Sequence, residues 1–132
     1  MLKWAGAAIA IWAFSAAALA TPLEDAPVPE AISLIVTNGA AKYVDDGGRS
    51  LYTYDRDTPG VSTCVDNCTI NWPPIAAPAG AHRIGDWTPV HRPDGTLQWA
   101  YKGKPVYRFR GDLGAGQTNG AGLGGVWRVL TP

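Results

Sequence analysis

Residues 48–72 read a second time at 103–127, shifted by 55 with no gap. Gly48 falls on Gly103, Tyr52 on Tyr107, Tyr54 on Phe109, Asp57 on Asp112, Thr63 on Thr118 and Trp72 on Trp127. A fixed offset held through two aromatic positions, an Asp and a distant Trp marks the duplication of one structural unit. The two copies are expected to pack as pseudo-symmetric halves. The shared residues then read as a framework, and the unshared ones become the better site candidates.

Each copy carries Tyr-x-aromatic-x-x-Asp: Tyr52, Tyr54 and Asp57, then Tyr107, Phe109 and Asp112. Two aromatics at i and i+2 share one face of a strand. The Asp falls where the strand should end, and its carboxylate can accept backbone N–H groups of the following turn. Strand signals dominate elsewhere. Ile32–Val36 is a short apolar run. Tyr43 and Val44 precede the turn signal Asp45-Asp46-Gly47-Gly48, and Leu51–Tyr54 reads as the returning arm of that hairpin. Trp87–His91 leads into the turn Arg92-Pro93-Asp94-Gly95, then Leu97–Tyr101 alternates. Lys102-Gly103-Lys104 turns the chain again before Val106–Arg110, and Val126–Leu130 is the last strand. Residues 64–71 have room for one helical turn, ended by Pro73-Pro74. The stretch 111–125 holds seven Gly in fifteen residues and reads as a loop. The expected fold is all-β: two pseudo-repeated β-hairpin units in one small domain, with repeats at about 40–75 and 95–130 within 32–132.

Residues 1–20 have the pattern of a signal peptide: Lys3, an apolar run from Ala5, and Ala18-Leu19-Ala20 as an A-x-A cleavage site. No stable membrane span is expected after cleavage. Residues 21–31, rich in Pro and acids, read as a flexible leader. Without Lys3 the chain has ten Lys and Arg against eleven Asp and Glu, so no basic excess serves a phosphate backbone, and nucleic acid is not an expected partner. Export implies an oxidising compartment, in which Cys64 and Cys68 should form a disulfide. The loop it closes is five residues long. Chain entropy assigns such a bridge about 2 kcal/mol.

At Gly48-Arg49-Ser50-Leu51-Tyr52-Thr53-Tyr54, Asp57-Thr58-Pro59-Gly60, Cys64-x3-Cys68 and Trp72-Pro73-Pro74 the chain resembles a bacterial secreted-repeat family, the predicted lipoproteins with a Yx(F/W/Y)xxD motif. Arg92-Pro93-Asp94-Gly95-Thr96, Gln98-Trp99, Tyr101 and Gly103-Lys104-Pro105 resemble its second repeat. The resemblance covers roughly residues 40–130. It implies a small exported protein of the periplasm or medium, from a family without an agreed activity. Some relatives are associated with the use of hydrocarbons, which implies a secreted factor assisting use of apolar substrates such as alkanes. No lipidation Cys follows the cleavage site, which favours release over anchoring.

Three constellations are candidates for chemistry. Cys64 and Cys68 with His82 or His91 would offer a soft ligand set for copper or zinc if the thiols were free. Cys-x3-Cys is neither the redox C-x-x-C nor the haem-attaching C-x-x-C-H. Asp57 and Asp112 could pair for acid–base work or a hard cation, against the simpler role of turn carboxylates. Tyr52, Tyr54, Trp72, Trp99, Tyr107, Phe109 and Trp127 could form a binding platform rather than a core. Trp99 and Tyr101, outside the duplicated positions, are the preferred ligand contacts. No Ser/His/Asp set or G-x-S-x-G is recognisable. The expectation is a non-enzymatic envelope binding module without a cofactor, whose partner is a small molecule or an envelope protein. The alternative is a periplasmic metal, haem or redox protein.

Overall fold

The computed structural model describes residues 5–11 and 26–132. The signal-peptide reading of 1–20 and the first part of the leader lie, apart from 5–11, outside the described residues. The described residues build eight strands and one short helix: β1 (Ile32–Thr37), β2 (Ala40–Asp45), β3 (Tyr52–Tyr54), α1 (Cys68–Asn71), β4 (Ala76–Ala77), β5 (Trp87–His91), β6 (Leu97–Tyr101), β7 (Lys104–Tyr107) and β8 (Trp127–Val129). A 3-10 turn at Leu123–Gly125 closes the Gly-rich stretch. The structure is β-rich, as the sequence predicts, and α1 sits where Pro73-Pro74 ends a helical turn.

One hairpin differs from expectation. β2 does not pair with the strand beyond Asp45–Gly48 but with β1, from Ile32↔Asp45 to Thr37↔Ala40. The reversal is Asn38-Gly39, whose φ values are 51° and 77°. Positive φ at both central residues suits the right-handed twist of a two-residue hairpin, and Asn-Gly adopts it at low cost. The turn signal at 45–48 is genuine but leads elsewhere: only Val44↔Ser50 bridges it. β3 instead pairs with β7 on one side and β8 on the other.

The pairing of β3 with β7 sets the architecture. Tyr52 lies opposite Tyr107, its own duplicate. An antiparallel pair with equivalent residues facing each other has a local twofold axis, and backbone bonds made by one copy should then recur in the other. Four of them do. Asp55 N–H donates to Val126 O at 2.8 Å, and Arg110 N–H to Asn71 O at 2.8 Å. Leu130 N–H donates to Leu51 O at 2.7 Å, and Ile75 N–H to Val106 O at 2.9 Å. The β5–β6 hairpin corresponds to β1–β2. Each hairpin's inner strand takes the closing segment of one repeat: Tyr43 N–H donates to Leu130 O at 3.2 Å, and Trp99 N–H to Ile75 O at 2.9 Å.

Strand alternation sends adjacent residues to opposite faces, which creates two cores. Leu51 and Val106 point into the larger one with Ile32, Tyr43, Ile75, Trp87, Trp99, Tyr101 and Leu130. Tyr52 and Tyr107 point into the other with Cys64, Trp72 and Trp127, flanked by Tyr54 and Phe109. In so small a domain aromatic rings supply most of the burial that longer chains take from Leu and Ile. The leader is less loose than its composition suggests over 26–31: Pro29 is buried, Val28 packs on the larger core, and Pro29 O accepts Ile32 N–H at 2.9 Å.

Candidate functional site

Four rings stack in a column across the twofold axis. Trp72 and Trp127, duplicates of each other, lie at its centre with centroids 3.7 Å apart and planes within 3°. Tyr54 stacks on Trp127 at 4.3 Å and Phe109 stacks on Trp72 at 4.5 Å. Each repeat therefore gives one inner and one outer ring, and each outer ring covers the inner ring of the other repeat. Tyr52 and Tyr107 meet the inner rings edge-on, at 5.3 and 5.2 Å from Trp72 and Trp127. These edge-on contacts satisfy the ring quadrupoles.

The motif's Tyr and Asp also exchange partners between repeats. Tyr52 Oη donates to Asp112 Oδ2 at 2.6 Å, and Tyr107 Oη donates to Asp57 Oδ2 at 2.7 Å. The second oxygen of each carboxylate ties down its own loop. Asp57 Oδ1 accepts Thr63 N–H at 2.7 Å and Thr63 Oγ1 at 2.8 Å, and Asp112 Oδ1 accepts Asn119 N–H at 2.8 Å. The turn-carboxylate role is thus present, but it reaches Thr63 rather than the adjacent Thr58-Pro59-Gly60. Burial, aided by the neighbouring carboxylate, pushes both phenols well above the ordinary tyrosine range. They stay protonated as donors to the two Asp side chains.

A polar chain continues from Tyr107 on one side only. Its hydroxyl meets Ser62 Oγ at 2.5 Å, and buried Arg92 donates to Ser62 Oγ at 2.8 Å, Gln98 Oε1 at 2.7 Å and Cys64 O at 2.8 Å. Gln98 Nε2 donates to Val106 O at 2.8 Å. This guanidinium fixes the Cys64 loop to β6. Isolated in sequence among turn residues, Arg92 gave no signal beyond the turn itself.

Both sulfurs of Cys64 and Cys68 are joined in a disulfide, so neither offers a thiolate. His82 and His91 are exposed, and among the described residues no three His, Cys, Asp or Glu gather as a metal-binding group. Trp99 and Tyr101, expected as ligand contacts, are core residues at 3% and 5% exposure. Tyr101 packs against Tyr43 and Trp87 at 5.0 and 4.9 Å. Trp99 is moreover a duplicated position. Its backbone bond to Ile75 is the counterpart of Tyr43 to Leu130, a shift of 56 rather than 55. The turn after β2 is one residue longer than that after β6, so the fixed shift of 55 ends there.

The column ends in two depressions that are themselves counterparts. The Tyr54 end, about 260 Å³, is lined by Thr53, Tyr54, Asp55, Asp57, Thr58 and Lys104, with Lys102 beside them. The Phe109 end, about 350 Å³, is lined by Arg108, Phe109, Arg110, Asp112, Leu113 and Arg49, with Ile70 and Pro73 beside them. Six lining positions correspond one for one at the shift of 55. The arginines of the Phe109 end were not singled out from sequence. The alternation of Arg108 and Arg110 was the available signal, but only tertiary contact brings Arg49 to them.

Fold and site define a class: a single β-domain made of two interlocked copies of one unit, each completing the other's aromatic and carboxylate framework. The profile of a family described as a secreted repeat of unknown function matches residues 35–76 and 88–131, one stretch for each copy. The chain belongs to this family of secreted repeats. Neither curated proteins nor solved structures return a match. No helix among the described residues is long and apolar enough to cross a membrane.

Proposed function

We propose that this chain is a non-enzymatic binding module of the bacterial envelope, working in the periplasm or after release to the medium, and that it takes a small molecule at the ends of its aromatic column. One observation carries the reading. The column runs between two solvent-facing depressions, each with one half-buried ring and cations that have no acidic partner among the described residues, while the motif's Tyr and Asp groups are committed to each other. A ring edge or face beside a few polar groups is the usual composition of a small-molecule site. The inner rings hold the outer ones in place, so the contact surface is preorganised and loses little side-chain freedom on binding.

The test is a ¹H–¹⁵N correlation spectrum of the mature protein, titrated with a panel of monosaccharides, short peptides and organic acids. Amide shifts should cluster at 49, 53–59 and 102–113. Shifts confined to other surfaces, no shift with any compound, or conversion of a panel member would each overturn the reading.

A further inference from the structure

We propose that the depression at the Phe109 end binds an organic anion: one carboxylate, sulfate or phosphate group on an apolar body. The inference deepens the binding reading above and rests on it. Three guanidinium groups, from Arg49, Arg108 and Arg110, line this one depression. Only Arg108 has an acidic partner among the described residues, Asp45 at 3.7 Å. The one carboxylate in the lining, Asp112, is occupied by Tyr52 and Asn119. Like charges crowded at a partly enclosed surface repel one another, and an anion placed between them removes that repulsion. The planar fork of arginine matches the paired oxygens of carboxylate, sulfate and phosphate.

The same depression has an apolar side. Phe109 is half-buried in it, Leu113 is 82% exposed and Ile70 is 54% exposed. These three give a hydrocarbon or ring a place to rest beside the arginines.

The other end of the column serves as an internal control, because it is built from the matching positions of the first copy. Thr53 stands where the second copy has Arg108, and Asp55 where it has Arg110. Asp55 is neutralised by Arg128 at 2.8 Å. Thr58 replaces Leu113. Beyond the motif's own aromatic and Asp, only the cation Lys104, counterpart of Arg49, is kept on both sides. The Phe109 end therefore carries more guanidinium charge and more exposed apolar surface than the Tyr54 end, which is the pair of properties an amphipathic anion needs.

The experiment is calorimetric titration of the mature protein with three probes: octanoate, its uncharged analogue 1-octanol, and inorganic sulfate. Octanoate should bind about tenfold or more tighter than either other probe. Added salt should weaken it. Arg49→Gln combined with Arg110→Gln should remove the preference, while Lys104→Gln, at the other end, leaves it intact. An unchanged thermal midpoint shows that the double variant is folded. Equal binding of octanol would overturn the proposal, as would equal binding of sulfate, which would mean a simple anion site. Octanoate binding insensitive to the arginine pair would do the same. These failures leave the binding module standing if other panel compounds still shift amides at the column ends. If no compound shifts any amide, both readings fall.

Discussion

The two repeats have the same skeleton and different surfaces. Inside, every element of the framework is matched: Trp72 with Trp127, Tyr52 with Tyr107, Asp57 with Asp112, and the backbone bonds that hold them. At the column ends the matched positions diverge, Thr53 against Arg108 and Asp55 against Arg110. The difference separates two kinds of constraint. A framework residue touches its own duplicate or its duplicate's partner, so a change in one copy damages both. Lining residues outside that framework, such as Asp55 and Thr58 or Arg110 and Leu113, are exposed, and each copy is free to change them alone.

The largest effect should come from the column's centre. Trp72→Ala and Trp127→Ala should each cost about 3–5 kcal/mol in denaturant unfolding. The double variant should cost less than the sum, because the two rings share one contact. A cost for one several times that for the other would break the symmetry argument.

The reciprocal hydrogen bonds come next. Tyr52→Phe and Tyr107→Phe each leave a carboxylate oxygen without its donor, at about 1–3 kcal/mol. Tyr107→Phe should cost more, since it also strips Ser62 and the Arg92 chain of a partner. Equal costs would mean that the one-sided polar chain adds nothing.

The disulfide is the main covalent asymmetry, because Asn119 and Leu123 occupy the matching positions of the second repeat. Replacing Cys64 and Cys68 together by Ser should lower stability by about 2 kcal/mol. Free-thiol titration of the native protein should find none before the change.

Alkali supplies a smaller and graded test. Tyr43, Tyr52 and Tyr107 are raised chiefly by burial above the ordinary value of 10.0. Their contribution is full below that value and declines as pH rises above it, since the unfolded chain then releases protons that the folded one keeps. Absorbance at the phenolate band should show these tyrosines ionising with unfolding rather than before it. Smooth ionisation of these three tyrosines in the folded state would contradict their burial. The smallest effect belongs to the surface. Arg128→Gln should leave the unfolding midpoint unchanged, because its pair with Asp55 is exposed to solvent.

Much of this was legible in the chain. The shift of 55 gave the two-copy plan, the alternation gave the strands, and export with a Cys pair gave the disulfide. Asn38-Gly39, a two-residue hairpin signal, was equally legible beside the more conspicuous Asp45–Gly48. Other features were hidden for physical reasons. The one-residue difference between the turns masked Trp99 as the partner position of Tyr43, and so presented a core ring as a ligand contact.

Sequence alone determined that there are two copies, which residues they share, and that the shared ones are aromatic and acidic. Only the tertiary structure decided which copy each residue serves. Tyr52 binds the Asp of the other repeat, and Tyr54 covers the Trp of the other repeat, because β3 pairs antiparallel with β7 about an axis between Tyr52 and Tyr107. Periodicity fixes which face a side chain takes. It carries no information on which strand will lie opposite, and that choice is what turns two short motifs into one interlocked core.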